Sequence, residues 1–213
     1  RHAYTPLSAT WPALLSMLTS LYPSEHGVTY NGMNAEHSYH SIATHLLELG
    51  YETLSIMGNA GSLKVPGILA NMKFFNRDFK IIHQALKELK KHGDEPFFHW
   101  YHFMGVHAEA EYKPKEWGLT ILGGKDKYKP YILGEIMKNQ TPMSADDIRK
   151  IKTLYAAKLY CLDFELKKIF DYLKANGQWD NTMIIVTSDH GEDLYDHKKY
   201  FYHYPSLYDT SLK

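Results

Sequence analysis

The 213 residues are enough to bury the core of one α/β domain, and the 24 basic and 24 acidic side chains cancel, which excludes the strong electrostatic footprint of a nucleic-acid or anionic-membrane binder. A lone cysteine, Cys161, excludes an intrachain disulfide framework. No run approaches the roughly 18 uninterrupted apolar residues of a membrane-spanning helix and no basic-apolar signal segment opens the chain, so it reads as soluble, with its compartment open.

From Trp11 the apolar positions Leu14, Leu15, Leu18 and Leu21 recur at helical spacing, and Pro12 suits a first turn, which puts Thr10 at the N-cap. A second helix is predicted from about Ser38 to Leu49, closed by Gly50, with a strand following at Thr53 to Met57. Phe79, Ile82, Leu86 and Leu89 mark a third helix ending at Lys90, Lys91 and Gly93, after which Pro96 to Phe103 reads as an aromatic strand. Between Gly105 and Met143 the pattern dissolves into Gly, Pro, Lys and Tyr, as in a long excursion that could cover a substrate. Ser144 and Asp147 then open a long helix whose apolar face carries Leu154, Ala157, Cys161, Leu162, Leu166, Ile169 and Leu173. Cys161 is expected to be a packed thiol on that face. Met183 to Val186 is an unbroken apolar run, expected of a strand covered on both faces. Alternating helices and strands predict an α/β fold with a mostly parallel sheet sandwiched by helices.

Three features carry candidate chemistry. Thr187-Ser188-Asp189-His190-Gly191-Glu192 sits at the carboxyl end of the predicted buried strand, where open α/β sheets place their ligand sites. Asp189 and His190 offer an oxygen and a nitrogen donor to a divalent cation, while Gly191 would let the backbone turn sharply. The plainer alternative makes Asp189 a cap of the segment that follows. Thr10, at a helix start that favours a tetrahedral anion, is a candidate nucleophile whose hydroxyl needs a cation to be activated; otherwise it is an ordinary N-cap. His107 and His203 could converge on the same sheet edge as donors, ligands or a leaving-group acid, with His102 and His197 competing for these roles. Most of the 13 histidines, including His37, His40, His45, His83 and His92, fall where a surface imidazole is expected.

In sequence these segments resemble the sulfatase-like branch of the alkaline phosphatase superfamily. Thr10-Trp11-Pro12, Leu18-Thr19-Ser20-Leu21-Tyr22-Pro23 and His26-Gly27 match the family's nucleophile helix, which ends in Leu-Thr-Gly-Leu-Tyr-Pro. Leu46 to Thr53, Leu159 to Asp163, Thr187 to Glu192 and His203 to Asp209 match further motifs in the family's order. The resemblance implies that Thr10 attacks, that Asp189, His190 and Thr10 hold a divalent metal, and that His107 and His203 face the substrate. Zinc or manganese suits the Asp-His pair best, with calcium or magnesium also compatible. The family's sulfatases convert Cys or Ser at the nucleophile position to formylglycine, an aldehyde that Thr10 cannot become.

The resemblance therefore implies a phosphoester substrate, on a small molecule, lipid or sugar, and a covalent phosphothreonine. Sulfate-ester hydrolysis or a catalytically silent assembly domain are the alternatives. It also implies that residues 1–213 are one catalytic-domain fragment, lacking the N-terminal strand with its acidic metal ligands and the C-terminal part. Weak metal affinity, little activity of the piece alone, and homo-oligomers through open sheet edges are the expected consequences.

Overall fold

A computed structural model of the chain describes residues 3–35, 37–58, 68–69, 71–75, 78–93, 95–107, 144–198, 203 and 206–213. Its centre is β1 (Glu52–Gly58), a run of buried side chains that pairs in parallel with β2 (Met72–Phe75) on one side and β3 (Phe97–His102) on the other. Ser55 lies opposite both Met72 and Trp100, which fixes the register of all three strands. Side chains alternate across a strand, so β1 feeds two cores. Leu54 and Ile56 pack with Ile81, Ile82, Ala85 and Leu89 of helix α4 (Asp78–His92) and with Ile169 and Leu173 of α5 (Ala145–Ala175). Met57 faces the other way, onto Trp11, Leu14, Leu15 and Leu18 of α1 (Thr10–Thr19) and Ala43 of α3 (Ile42–Glu48). The parallel sheet between two helical layers is the fold class expected from the alternating pattern.

Helix starts shift where local hydrogen bonds decide them. The second helix expected from the sequence begins at Ile42 rather than near Ser38, because Ser41 and Thr44 form a reciprocal capping box and Ser41 Oγ also donates to the Ile68 carbonyl. The N-cap of α1 is Ala9 instead of Thr10, and Asn31 takes the capping role by accepting the Trp11 amide at 2.8 Å. At the other end of α1, Ser20 adopts φ 62°, a left-handed cap where the resembling motif has glycine. A short helix α2 (Pro23–His26) follows and carries His26, fully buried between Ser16 and Val28.

Two further expectations change, and one strand is new. The run Met183 to Val186 forms no ladder among the described residues and is 88, 38, 76 and 69% exposed, so it is not the doubly covered strand its composition suggests. An apolar run reports a preference for burial, and burial in a sheet also requires a neighbouring strand. His92 is buried rather than on the surface, because the last turn of α4 lies against the start of the sheet, whereas His37, His40, His45 and His83 are exposed. Strand β2 had no reading in the sequence, since four residues are too few to establish a period. Residues 108–143 of the expected excursion lie outside the described residues.

Candidate active site

Thr10 is the first residue of α1 and is 7% exposed. Trp11 gives its amide to Asn31, and Pro12 has none, which leaves the amide of Thr10 itself as the first-turn donor able to face an anion. The segment before it is tied down by Ser8, whose hydroxyl donates to the Ser206 carbonyl at 2.6 Å. The Thr10 hydroxyl is thus held at a helix start by packing and backbone bonds, with its Oγ1 3.4 Å from His190 Nε2.

Asp189 and His190 arrive from the far end of the sequence. The Asp189 carboxylate accepts the His190 amide on Oδ1 at 3.0 Å and places Oδ2 3.5 Å from His190 Nε2. On the opposite edge of the ring, Nδ1 donates to the Gly191 carbonyl at 2.9 Å, which leaves Nε2 with its lone pair directed at Thr10 and Asp189. Gly191 serves a different purpose from the one expected. Its φ is not in the left-handed region; instead, a Cβ there would overlap the Thr210 carbonyl of the short helix α6 (Asp209–Leu212), and its amide donates to Ser211 O at 2.9 Å. Close approach, rather than a sharp turn, requires the glycine. A cavity of about 390 Å³ opens beside Asp189 and His190 between α1, Thr187 and Leu212.

The two partner histidines do converge. The His203 ring stacks on His190 at 3.9 Å, and His107 meets His203 edge-on at 5.2 Å. His203 is 1% exposed, and burial, helped by the neighbouring His190 and His107, pushes its pKa down to about 3. It is a neutral imidazole at pH 7, suited to donating a hydrogen bond and unsuited to delivering a proton. His102, at the end of β3, is also held below the usual imidazole range by burial, with Asp189 opposing the shift. His197 is elsewhere: it pairs with the buried Asp193 and stacks on Tyr208 at 3.6 Å.

Two side chains absent from the sequence reading organise this wall. Asp78, the first residue of α4, accepts the amides of Met104 at 3.0 Å and Gly105 at 2.7 Å, holding the turn that presents His107. Burial raises its pKa. Lys158 of α5 donates to the His107 carbonyl at 2.9 Å, is 7% exposed, and is pushed down to about 8 by burial. The signal for Lys158 was in the sequence: it falls on the stripe of Leu154, Cys161 and Leu162, where a charged residue needs a reason. No comparable signal marks Asp78, which sits at an ordinary helix start.

The donor set fits a divalent cation. Four donors at zinc's usual bond lengths lie about 3.3–3.4 Å apart in a tetrahedron. Thr10 Oγ1 and Asp189 Oδ2 lie 3.4 and 3.5 Å from His190 Nε2, close to that edge. Asp189, His190 and Thr10 would be the residues to hold it. A second grouping, His107, Glu192 and His203, brings its ligand atoms within 4.8 Å of one another on the same wall.

Comparison with known proteins shows the family and the fold. The family model described as Sulfatase matches residues 1–211, and the chain belongs to the sulfatase family. A multifunctional alkaline phosphatase superfamily protein, PehA, of Trinickia caryophylli is 47% identical over 51 residues, 24% of this chain and 10% of that protein. The phosphonate monoester hydrolase of Agrobacterium radiobacter shares the fold at TM-score 0.67 and 15% identity, over 98% of this chain and 58% of the other. A protein solved in complex with its substrate D-glucosamine-2-N,6-O-disulfate superposes at TM-score 0.73 and 17% identity, over 99% and 61%. The chain therefore spans less than two thirds of the length of each of these relatives.

Proposed function

We propose that this sulfatase-family chain is the catalytic part of a metal-dependent hydrolase or transferase that acts on phosphate esters through Thr10. The observation that carries the proposal is the approach of the Thr10 hydroxyl to within 3.4 Å of His190 Nε2, beside the Asp189 carboxylate. A divalent cation bound by these three groups would supply the positive charge that lets a hydroxyl act as an alkoxide near neutral pH. Thr10 Oγ1 loses its proton to solvent and attacks phosphorus, the bond from phosphorus to the leaving oxygen breaks, and the leaving oxygen takes up a proton from solvent. Water or an acceptor alcohol then attacks the phosphothreonine, and the phosphorus–Oγ1 bond breaks in turn. His203, neutral, donates a hydrogen bond to the transferred group, and His107 lies on the same side. The substrate belongs to the class of small-molecule, lipid or sugar esters.

A threonine at the nucleophile position supports phosphate over sulfate, because its Cβ methyl prevents formation of the aldehyde used by formylglycine enzymes. Sulfate-ester hydrolysis is the second reading, favoured by the family match and by the disulfated sugar bound to the structural relative. Rates of the full-length protein on matched aryl phosphate and aryl sulfate separate the two. The phosphate ester is expected to react faster by at least about a hundredfold, which is about 2.7 kcal/mol in barrier. Faster turnover of the sulfate would overturn the first reading.

A further inference from the structure

The end of the sheet remote from His102 and His107 carries a second group of metal-binding side chains. Glu52 opens β1, His99 is the third residue of β3, and His92 lies in the last turn of α4, which packs over the same end of the sheet. The register sets Glu52 opposite Phe97, two residues before His99, and the alternation of β3 turns His99 towards α4. One oxygen and two ring nitrogens from these residues lie within 4.8 Å of one another.

Two details separate this cluster from an ordinary buried ion pair. His92 Nε2 is 2.7 Å from Glu52 Oε2, yet that nitrogen is buried and makes no hydrogen bond, so the carboxylate lies off the line of its N–H. The His92 side chain is 3% exposed. His99 Nε2 is likewise buried without a hydrogen-bond partner, while its Nδ1 meets the Tyr101 hydroxyl at 2.7 Å. That contact orients the ring as a second-sphere partner does for a ligating imidazole. The imidazoles lie 5.0 Å apart beside the Phe97 ring. Lys73, a cation that could repel an ion from this end, is already paired with Glu88 at 2.7 Å. Two buried imidazole nitrogens are thus left without a hydrogen-bond partner, which is unfavourable unless something else engages them. With the ring protons on Nδ1, a cation between these nitrogens and the half-exposed Glu52 would engage both Nε2 lone pairs and one negative charge, with a fourth position open to water.

We propose that Glu52, His92 and His99 form a binding site for a zinc-class divalent transition metal, separate from the candidate active site, that ties β1, β3 and the end of α4 together. Two imidazoles and one carboxylate favour zinc or cobalt over calcium or magnesium, which prefer all-oxygen sites. The role is structural, because the ion would join two neighbouring strands and the end of the helix packed over them.

The test uses the full-length protein carrying Asp189→Asn, which weakens the other site, titrated with Zn²⁺ against a chromophoric chelator and with Co²⁺ by visible absorption. The expected result is one tight Zn²⁺ per chain and an intense four-coordinate Co²⁺ spectrum, both lost or weakened by more than about tenfold when Glu52→Gln is added. Glu52 is half exposed, so this change spares the core; His99→Phe, riskier for folding, is expected to give the same loss. In the otherwise native protein, Glu52→Gln is expected to leave ester hydrolysis unchanged. No tight Zn²⁺ in the Asp189→Asn protein, or equal affinity with and without Glu52, would overturn the proposal.

Discussion

The two arms that meet at the candidate site are built to very different standards. Thr10 rides on α1, where Trp11, Leu14, Leu15 and Leu18 are at most 4% exposed and a side chain from a distant loop caps the first turn. Asp189 and His190 follow a run of four apolar residues that is mostly exposed and unpaired among the described residues. Their anchorage comes from downstream: Gly191 is packed against α6, Asp193 is fully buried, and Asp196 pairs with Lys152 of α5. Thr10 is thus positioned by a hydrophobic core, and Asp189 and His190 by short-range polar contacts after the pair. Chemistry and stability should therefore separate cleanly between the arms.

The largest expected effect is on chemistry. Thr10→Ala should lower hydrolysis by at least about a thousandfold while Thr10→Ser keeps most of it. Because Thr10 is not the side-chain cap of α1, thermal denaturation of Thr10→Ala should move little. A large loss of stability would blur the comparison.

Acid should act next. In metal-free protein, burial depresses His203 to about 3 and His99 to about 4, from an ordinary value of 6.5. Unfolded chains therefore take up these protons first, so stability is complete above pH 6.5 and falls as pH drops through 6.5 towards those values. At pH 5 each histidine costs about 2 kcal/mol, which urea melts at pH 7.5 and 5 can measure.

The core contrast follows. Leu15→Ala, at a fully buried site, should cost about 3 kcal/mol, whereas Ile185→Ala, 76% exposed, should cost less than about 0.5 kcal/mol in urea unfolding. A large cost at Ile185 would mean that the run is covered in the protein and would erase the distinction. Smallest is Ser20→Gly, which relieves a left-handed backbone at φ 62° and should add about 1 kcal/mol by the same assay.

Much of this was legible before any coordinates. The apolar periods of α1, α4 and α5 locate them within one or two residues, because burial of one helix face is written directly in residue spacing. Motif order brought Thr10, Asp189, His190, His107 and His203 to attention, and they lie together. Met183 to Val186 misled because composition records hydrophobicity but not which strand lies alongside. Asp78 and the buried state of His92 were silent for a related reason: each depends on which loop or strand packs across a helix end, a long-range fact with no local period.

The most direct test is to quench the full-length protein during turnover of an aryl phosphate in acid and map phosphate onto its peptides by mass spectrometry. The expected result is a phosphothreonine at Thr10 that disappears in Thr10→Ala. Full turnover by Thr10→Ala, or a trapped phosphate on another residue, would contradict it.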